Sequence, residues 1–433
     1  MRGTDRRSAR GARRYAAIAA AAAIGLLGTA CSGGGHTPSS GPSSAQASAS
    51  ARAQAAAVAA DLKITPANGS HGVDPSAGIS VTAVAGKVTN VTVRTSGDAV
   101  SGSLSDGGRT WHSARQLDVS QSYTVTATGA VGSTEVTATS TFRTLTPSQT
   151  FSTMIFEGYQ QTYGVGMPII LTFSHPVVNK AVVERSLQLR TSKPVTGAWY
   201  WDGSQALDFR PESYWPTRTQ VSFTAHLNGV EMAPGVYGAH TLTQSFNIGS
   251  SLIVVASTST HFMKLYRNGK LLHRWPISTG RPGDNTPNGT YLTIEKGNPV
   301  LMKGPGYSIE VPWSVRFTWS GDYLHDAYWS VGEQGFTNVS HGCVNMPPAD
   351  AELYYQMAVP GDPVTITGSP RAGEWDNGWT EWFLTWNKYL KGSALHMAVQ
   401  AGPSGSTFVD PASLPVPATA PLGAPDPGNW AAS

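Results

Sequence analysis

The residues with the clearest chemical potential form one block, Ser340-His341-Gly342-Cys343-Val344-Asn345. The chain has two cysteines, at 31 and 343. That is too few for a disulfide scaffold or a cysteine-rich zinc or iron–sulfur site. An inert core thiol has apolar neighbours, whereas Cys343 lies among Ser, His, Gly and Asn. His341 is placed to help lower the thiol pKa. Gly342 lets the backbone turn sharply enough for successive N–H groups to converge on one oxyanion. These features point to a cysteine nucleophile, which needs a base. His325 stands eighteen residues upstream, in Tyr323-Leu324-His325-Asp326, after the strand-like run Ser314-Val315-Arg316-Phe317-Thr318. His261, His273 and His175 lack comparable surroundings, and no His-Glu-x-x-His spacing of the zinc-ligand type occurs near the block. Neither a metal nor a cofactor is expected.

The elements that must position these residues read as mainly β. Residues 61–145 alternate, as in Ile79-Ser80-Val81-Thr82-Ala83 and Tyr123-Thr124-Val125-Thr126-Ala127, with Ser96-Gly97 and Asp106-Gly107 as turn signals. This predicts an immunoglobulin-like sandwich with Trp111 in its core or at its edge. Residues 146–250 repeat the style and predict a second such domain. Its aromatics Trp199, Tyr200, Trp201, Tyr214 and Trp215 suit packing better than a sugar-stacking surface. From 251 the texture changes. Leu252–Ala256 reads as a buried strand, Asn268-Gly269 as a hairpin turn, and the segment from Pro347 as the one main helix, with Leu353 and Met357 four apart. Residues 251–370 are therefore a mainly β domain. Residues 371–399, with Trp375, Trp379, Trp382 and Trp386, are expected to pack on it as a C-terminal subdomain, and the Pro- and Ser-rich stretch 400–433 to be disordered.

The N-terminus reads as an address. Six arginines precede an apolar run from Tyr15 to Ala30, which is short for a permanent span. It ends Leu26-Leu27-Gly28-Thr29-Ala30-Cys31 and resembles a lipobox, in which Cys31 would be acylated. Gly28 stands where a bulky aliphatic is usual, and cleavage after an alanine is the alternative. Residues 1–31 are thus expected to be a lipoprotein signal peptide. Residues 32–60, built of Ser, Ala, Gly and Pro, would be a tether spanning on the order of 30 Å as a coil. Without the first 31 residues the chain keeps 24 basic and 26 acidic side chains, so it has no general basic footprint and a nucleic-acid partner is not expected. Of all residues, 13% are charged and 40% hydrophobic, with 47 Gly and 29 Pro, which suits an exported strand-and-loop protein. A monomer is expected.

His325 followed by Ser340-His341-Gly342-Cys343-Val344-Asn345 resembles the L,D-transpeptidase catalytic domain, the YkuD fold, over about 251–370. The segment Ser278–Gly283 with Thr286-Pro287-Asn288-Gly289 is similar to the same domain. More loosely, the layout resembles the actinobacterial type with N-terminal immunoglobulin-like domains. The resemblance implies Cys343 as nucleophile and His325 as base, oriented by the main-chain carbonyl of Asp326. The Asp326 side chain is expected to raise the imidazole pKa. It implies oxyanion donors from the amides of His341, Gly342 and Cys343, support from Ser340 and Asn345, and Tyr307 as a substrate-lid tyrosine. It also implies peptidoglycan stem peptides as partners, cleaved at the third-residue carbonyl and rejoined as 3-3 crosslinks by an enzyme anchored to the outer face of the membrane. Two alternatives stay open: an L,D-carboxypeptidase, and a catalytically dead surface lipoprotein that binds glycan. A wall peptidase of the kind with Cys before His fits less well, because the base here precedes the nucleophile.

Overall fold

The computed structural model describes residues 62–131, 134–304 and 306–414. Cys31, the signal peptide, the tether and residues 415–433 lie outside the described residues. Three β units follow in order. The first is a sandwich of a four-stranded sheet (Leu62–Thr65, Ser80–Ala83, Thr110–Ser113, Gly102–Ser105) and a three-stranded sheet (Lys87–Arg94, Ser122–Val131, Thr134–Arg143). The alternation seen in the sequence maps onto its two faces. Tyr123, Val125 and Ala127 are buried at every second position, and Tyr123 stacks on Phe142 at 5.4 Å. Trp111 is buried in this core.

The second sandwich pairs a sheet of Thr162–Tyr163, Leu242–Ile248, Gln220–Ala225 and Leu187–Thr191 with a larger one containing Thr153–Ile155, Ile169–Phe173, Ala206–Pro211 and Val195–Asp202. Trp199, Trp201 and Trp215 are buried in its core, where Trp199 meets Phe209 at 5.2 Å and Phe223 at 5.9 Å. These rings pack the interior and offer no face to a sugar. The larger sheet does not end with this domain's own strands. Ala398–Gly402 and Gly405–Val409 form a hairpin that adds to Val195–Asp202, with Val195 opposite Ala401.

The expectation of disorder from residue 400 is therefore wrong for 400–414, and the boundary at 399 falls inside a strand. Pro403 and Ser404 are the turn of the hairpin, and Gly405, at φ 119°, opens the second strand. The flanking Ala398, Val399 and Ala401 are small apolar residues, too few to signal a strand until an existing edge accepts them.

The third unit holds the main helix, Pro348–Met357, and two sheets. Five strands (Lys270–Pro276, Phe262–Arg267, Leu252–Ser257, Pro363–Thr367, Gly289–Leu292) form one. Four short strands (Glu295–Gly297, Ser314–Arg316, Tyr323–Asp326, Val344–Met346) form the other. Asn268 and Gly269 both have positive φ, 49° and 78°, as a tight hairpin turn requires. A separate hairpin, Val300–Gly304 with Tyr307–Val311, projects from this unit.

The Trp-rich segment joins the second and third units. Trp379 meets Phe156 of the second sandwich at 4.9 Å and Trp319 of the third unit at 5.9 Å. Trp382 Nε1 donates to the Gly166 carbonyl at 2.7 Å, and its ring meets Tyr214 at 4.4 Å and the Arg210 guanidinium at 4.5 Å. Truncating a buried tryptophan with these contacts leaves a cavity and an unpaired carbonyl. Trp382→Ala is expected to lower stability by about 3–5 kcal/mol, read as a reduced urea midpoint of the full chain. An unchanged midpoint would mean that the segment does not clamp the units together.

Candidate active site

The site is assembled where two short parallel strands meet. Tyr323–Asp326 pairs with Val344–Met346 in the register Leu324↔Val344, His325↔Asn345, Asp326↔Met346. That register brings the His and the end of the Cys block side by side although His325 and Asn345 are twenty positions apart. His325 is 3% exposed. Its Nδ1 lies 2.7 Å from the Asp326 carbonyl oxygen. A carbonyl can only accept, so Nδ1 carries the proton and Nε2 keeps its lone pair. The sequence expectation that a main-chain oxygen orients the ring describes this contact. The further expectation, that the Asp326 carboxylate raises the imidazole pKa, does not hold. Burial pushes the imidazole down to about 4, and the bond it donates to the Asp326 carbonyl offsets only part of this. The Asp326 carboxyl is itself buried, with Oδ1 unpaired, and burial raises its pKa.

Cys343 is half-buried, and its Sγ points to the Gly321 carbonyl at 3.8 Å. The expected lowering of the thiol pKa is also not found. Burial pushes the thiol up to about 12, and the charge of Asp322 adds to the rise, against smaller opposing effects from the N–H groups of Tyr323 and Cys343 itself. The resting pair is thus a neutral thiol and a neutral imidazole.

The loop between the strands is held from three sides. The Ser340 hydroxyl accepts from the Gly342 amide at 3.1 Å and donates to the Cys343 carbonyl at 2.6 Å. The Gly342 amide is therefore already engaged, unlike the free oxyanion donor expected from the sequence. Thr286 Oγ1 accepts from the Gly280 amide and donates to the Gly342 carbonyl at 2.6 Å, and Ser278 exchanges backbone bonds with Asn345. The Ser278–Gly289 segment singled out in the sequence is thus the wall behind the loop. Asn345 Nδ2 donates to Ser330 Oγ at 2.9 Å. Gly342 has φ 134°, and a Cβ there would lie 2.3 Å from Asp322 Oδ1. Both the conformation and the contact require glycine.

A cavity of about 360 Å³ opens over the pair. His325, Cys343, Ser340, His341, Asn345 and Tyr307 all line it; Asp326 and Gly342 do not. The Tyr307 ring stands 5.1 Å from that of His341, tilted by 30°. Tyr307 arrives on the Val300–Gly304/Tyr307–Val311 hairpin, which also contributes Met302, Ile309 and Val311. Trp329 stacks on His325 at 5.9 Å. Tyr307 was expected from the sequence, whereas Met302, Ile309, Val311, Trp329 and Asp322 escaped the sequence reading. An exposed β-hairpin carries no local sign of what lies beneath it, and Tyr328-Trp329 reads as ordinary turn aromatics. Asp322 was visible as a charge next to a glycine, but its approach to the loop is a tertiary fact.

Asp322 sits under this loop, buried, accepting from Thr318 Oγ1 at 3.0 Å, and burial raises its own pKa. Removing its charge should make the thiolate easier to form. Asp322→Asn is expected to shift the pH profile of Cys343 alkylation by iodoacetamide to lower pH, with a severalfold faster rate at mildly alkaline pH. The wild-type rate should keep rising with pH without a plateau near neutrality. A slower variant, or a neutral plateau in the wild type, would contradict a thiol restrained by burial and by the Asp322 charge.

Two family models match the chain. The L,D-transpeptidase catalytic domain, YkuD, matches residues 251–366, and a bacterial Ig domain matches residues 70–231. L,D-transpeptidase 2 of Mycobacterium tuberculosis is 31% identical over 340 residues, 74% of this chain and 83% of that protein. L,D-transpeptidase 5 of the same species is 33% identical over 352 residues, 78% of each chain. A solved L,D-transpeptidase in complex with imipenem is 34% identical, covering 51% of this chain and all of the other, with a TM-score of 0.44. With Cys343 and His325 lining one largely apolar cavity of a YkuD domain that follows Ig-like sandwiches, these relatives place this chain in the L,D-transpeptidase family as a transpeptidase enzyme.

Proposed function

We propose that the protein forms 3-3 crosslinks in peptidoglycan by two acyl transfers through Cys343. The observation that carries this reading is the bond from His325 Nδ1 to the Asp326 carbonyl, which leaves Nε2 as an acceptor lining the same cavity as the thiol. In the first transfer Nε2 takes the thiol proton as Sγ attacks the third-residue carbonyl of a tetrapeptide stem. Proton transfer is coupled to attack, because neither partner is charged at rest. The oxyanion is met by the His341 and Cys343 amides, the Gly342 amide being held by Ser340. The tetrahedral adduct collapses with cleavage of the C–N bond. D-Ala leaves with the proton from His325, and a thioester remains. In the second transfer the side-chain amine of another stem's diamino acid attacks the thioester carbon and gives its proton to His325. The C–S bond breaks, the thiolate recovers the proton, and an amide joins the two third residues.

Supporting parts have distinct roles in this reading. Asn345 and Ser340 hold the loop, Asp326 orients the base through its backbone, and Tyr307 covers the donor from the hairpin. Export, acylation at Cys31 and a flexible tether would hold the enzyme at the outer face of the membrane within reach of the wall. No helix among the described residues is long and apolar enough to cross a membrane.

Cys343→Ala should lower crosslinked-dimer formation on the order of 10⁴-fold or more, since the nucleophile and its base act as a unit. His325→Gln should do nearly the same. Incubation with meropenem should add one drug mass to the wild type and none to Cys343→Ala, by intact-protein mass spectrometry. Retained dimer formation by Cys343→Ala would end this reading. A tripeptide product without dimer would replace transfer by hydrolysis.

A further inference from the structure

One charged side chain in the cavity has no part in the acyl transfer. Glu333 belongs to the turn that follows the strand Tyr323–Asp326. Its backbone is fixed: the amide donates to the Ser330 carbonyl at 3.2 Å, and its own carbonyl accepts from the amides of Phe336 and Thr337. Its side chain is exposed, lines the cavity, and makes no hydrogen bond or ion pair among the described residues. Met302, Ile309, Val311, Val339 and Trp329 line the same cavity, and no Lys or Arg does. A single carboxylate in a concave site with apolar walls sets a negative potential that favours a cation and disfavours an anion. Glu333 is therefore an unpaired carboxylate, among the described residues, in the cavity that also holds Cys343.

We propose that Glu333 is a specificity-determining residue that receives the side-chain ammonium of the donor stem's diamino acid. This rests on the acyl-transfer reading above. The acceptor stem carries the same group, but its amine must reach the thioester carbon as a free base. A carboxylate that pairs with its ammonium would keep it protonated and away from Sγ. The donor's amine lies several bonds from the reacting carbonyl and takes no part in the first transfer, so pairing it has no such effect. One consequence concerns which stems are used. A stem whose side-chain amine is already acylated, as in an existing crosslink, cannot make the pair. The enzyme should therefore favour unlinked stems as donors.

The test is steady-state D-Ala release from two tetrapeptide donors, one with a free side-chain amine and one acetylated there, at a saturating concentration of a separate tripeptide acceptor. For the free-amine donor, Glu333→Gln is expected to raise KM roughly three- to tenfold with little change in kcat, the size of a partly shielded ion pair. With the acetylated donor, variant and wild type should agree, and raised salt should weaken the wild type's preference for the free amine. An equal loss with both donors, or none with either, overturns the proposal. So does an effect confined to the concentration dependence of the acceptor, which would give Glu333 to the other stem. An unchanged unfolding midpoint separates these outcomes from a folding defect. D-Ala release by Cys343→Ala would instead remove the acyl-transfer reading itself.

Discussion

The site depends on one short hydrogen bond, from His325 Nδ1 to the carbonyl of the next residue. It fixes the tautomer, and with it which nitrogen can take a proton. Because the acceptor is a main-chain oxygen at the end of a paired strand, its position is set by the sheet register and not by a side-chain rotamer. The side chain at 326 is then free to vary. The carboxyl present at this position adds a buried, partly unsatisfied group, and it is not what meets the ring.

The second constraint is desolvation. Both reacting groups are held in their neutral forms by burial, with the imidazole pushed down and the thiol pushed up. Such a pair reacts through coupled proton transfer rather than from a preformed thiolate. Asp322 reinforces this restraint from below while its neighbours Thr318 and Ser320 tie down the loop that carries the Gly321 carbonyl. Ser320 is in turn gripped by Asn377 of the Trp-rich segment, whose amide group bonds to the Ser320 amide at 2.7 Å and to its hydroxyl at 2.8 Å. The floor of the site is therefore continuous with the C-terminal chain.

That chain does more than cap the catalytic unit. It passes from Asn377 through Trp379 and Trp382 to a hairpin in the second sandwich's larger sheet. Glu184, in the second sandwich, takes bonds from Ser393 and Ala394 along the way. The catalytic unit is consequently fastened to the second sandwich by both of its chain ends. A single flexible linker would let the two move apart, whereas this arrangement fixes their spacing by packing and by buried polar bonds.

The chemistry was legible in the sequence because it is local. Six consecutive residues and one histidine specify a nucleophile, a tight glycine turn and a base, and alternation with Ser-Gly and Asp-Gly turns specifies the first sandwich. Tertiary structure decided what depends on groups far apart in the chain. The sign of the thiol and imidazole shifts came from burial and from Asp322, not from the neighbouring His341 or the Asp326 side chain. The Gly342 amide was claimed by Ser340, which only the folded loop could show. The strands at 398–409 formed because an open edge at Val195–Asp202 was there to pair with, and Pro, Ser and Gly between small apolar residues cannot announce an edge that lies two hundred residues away.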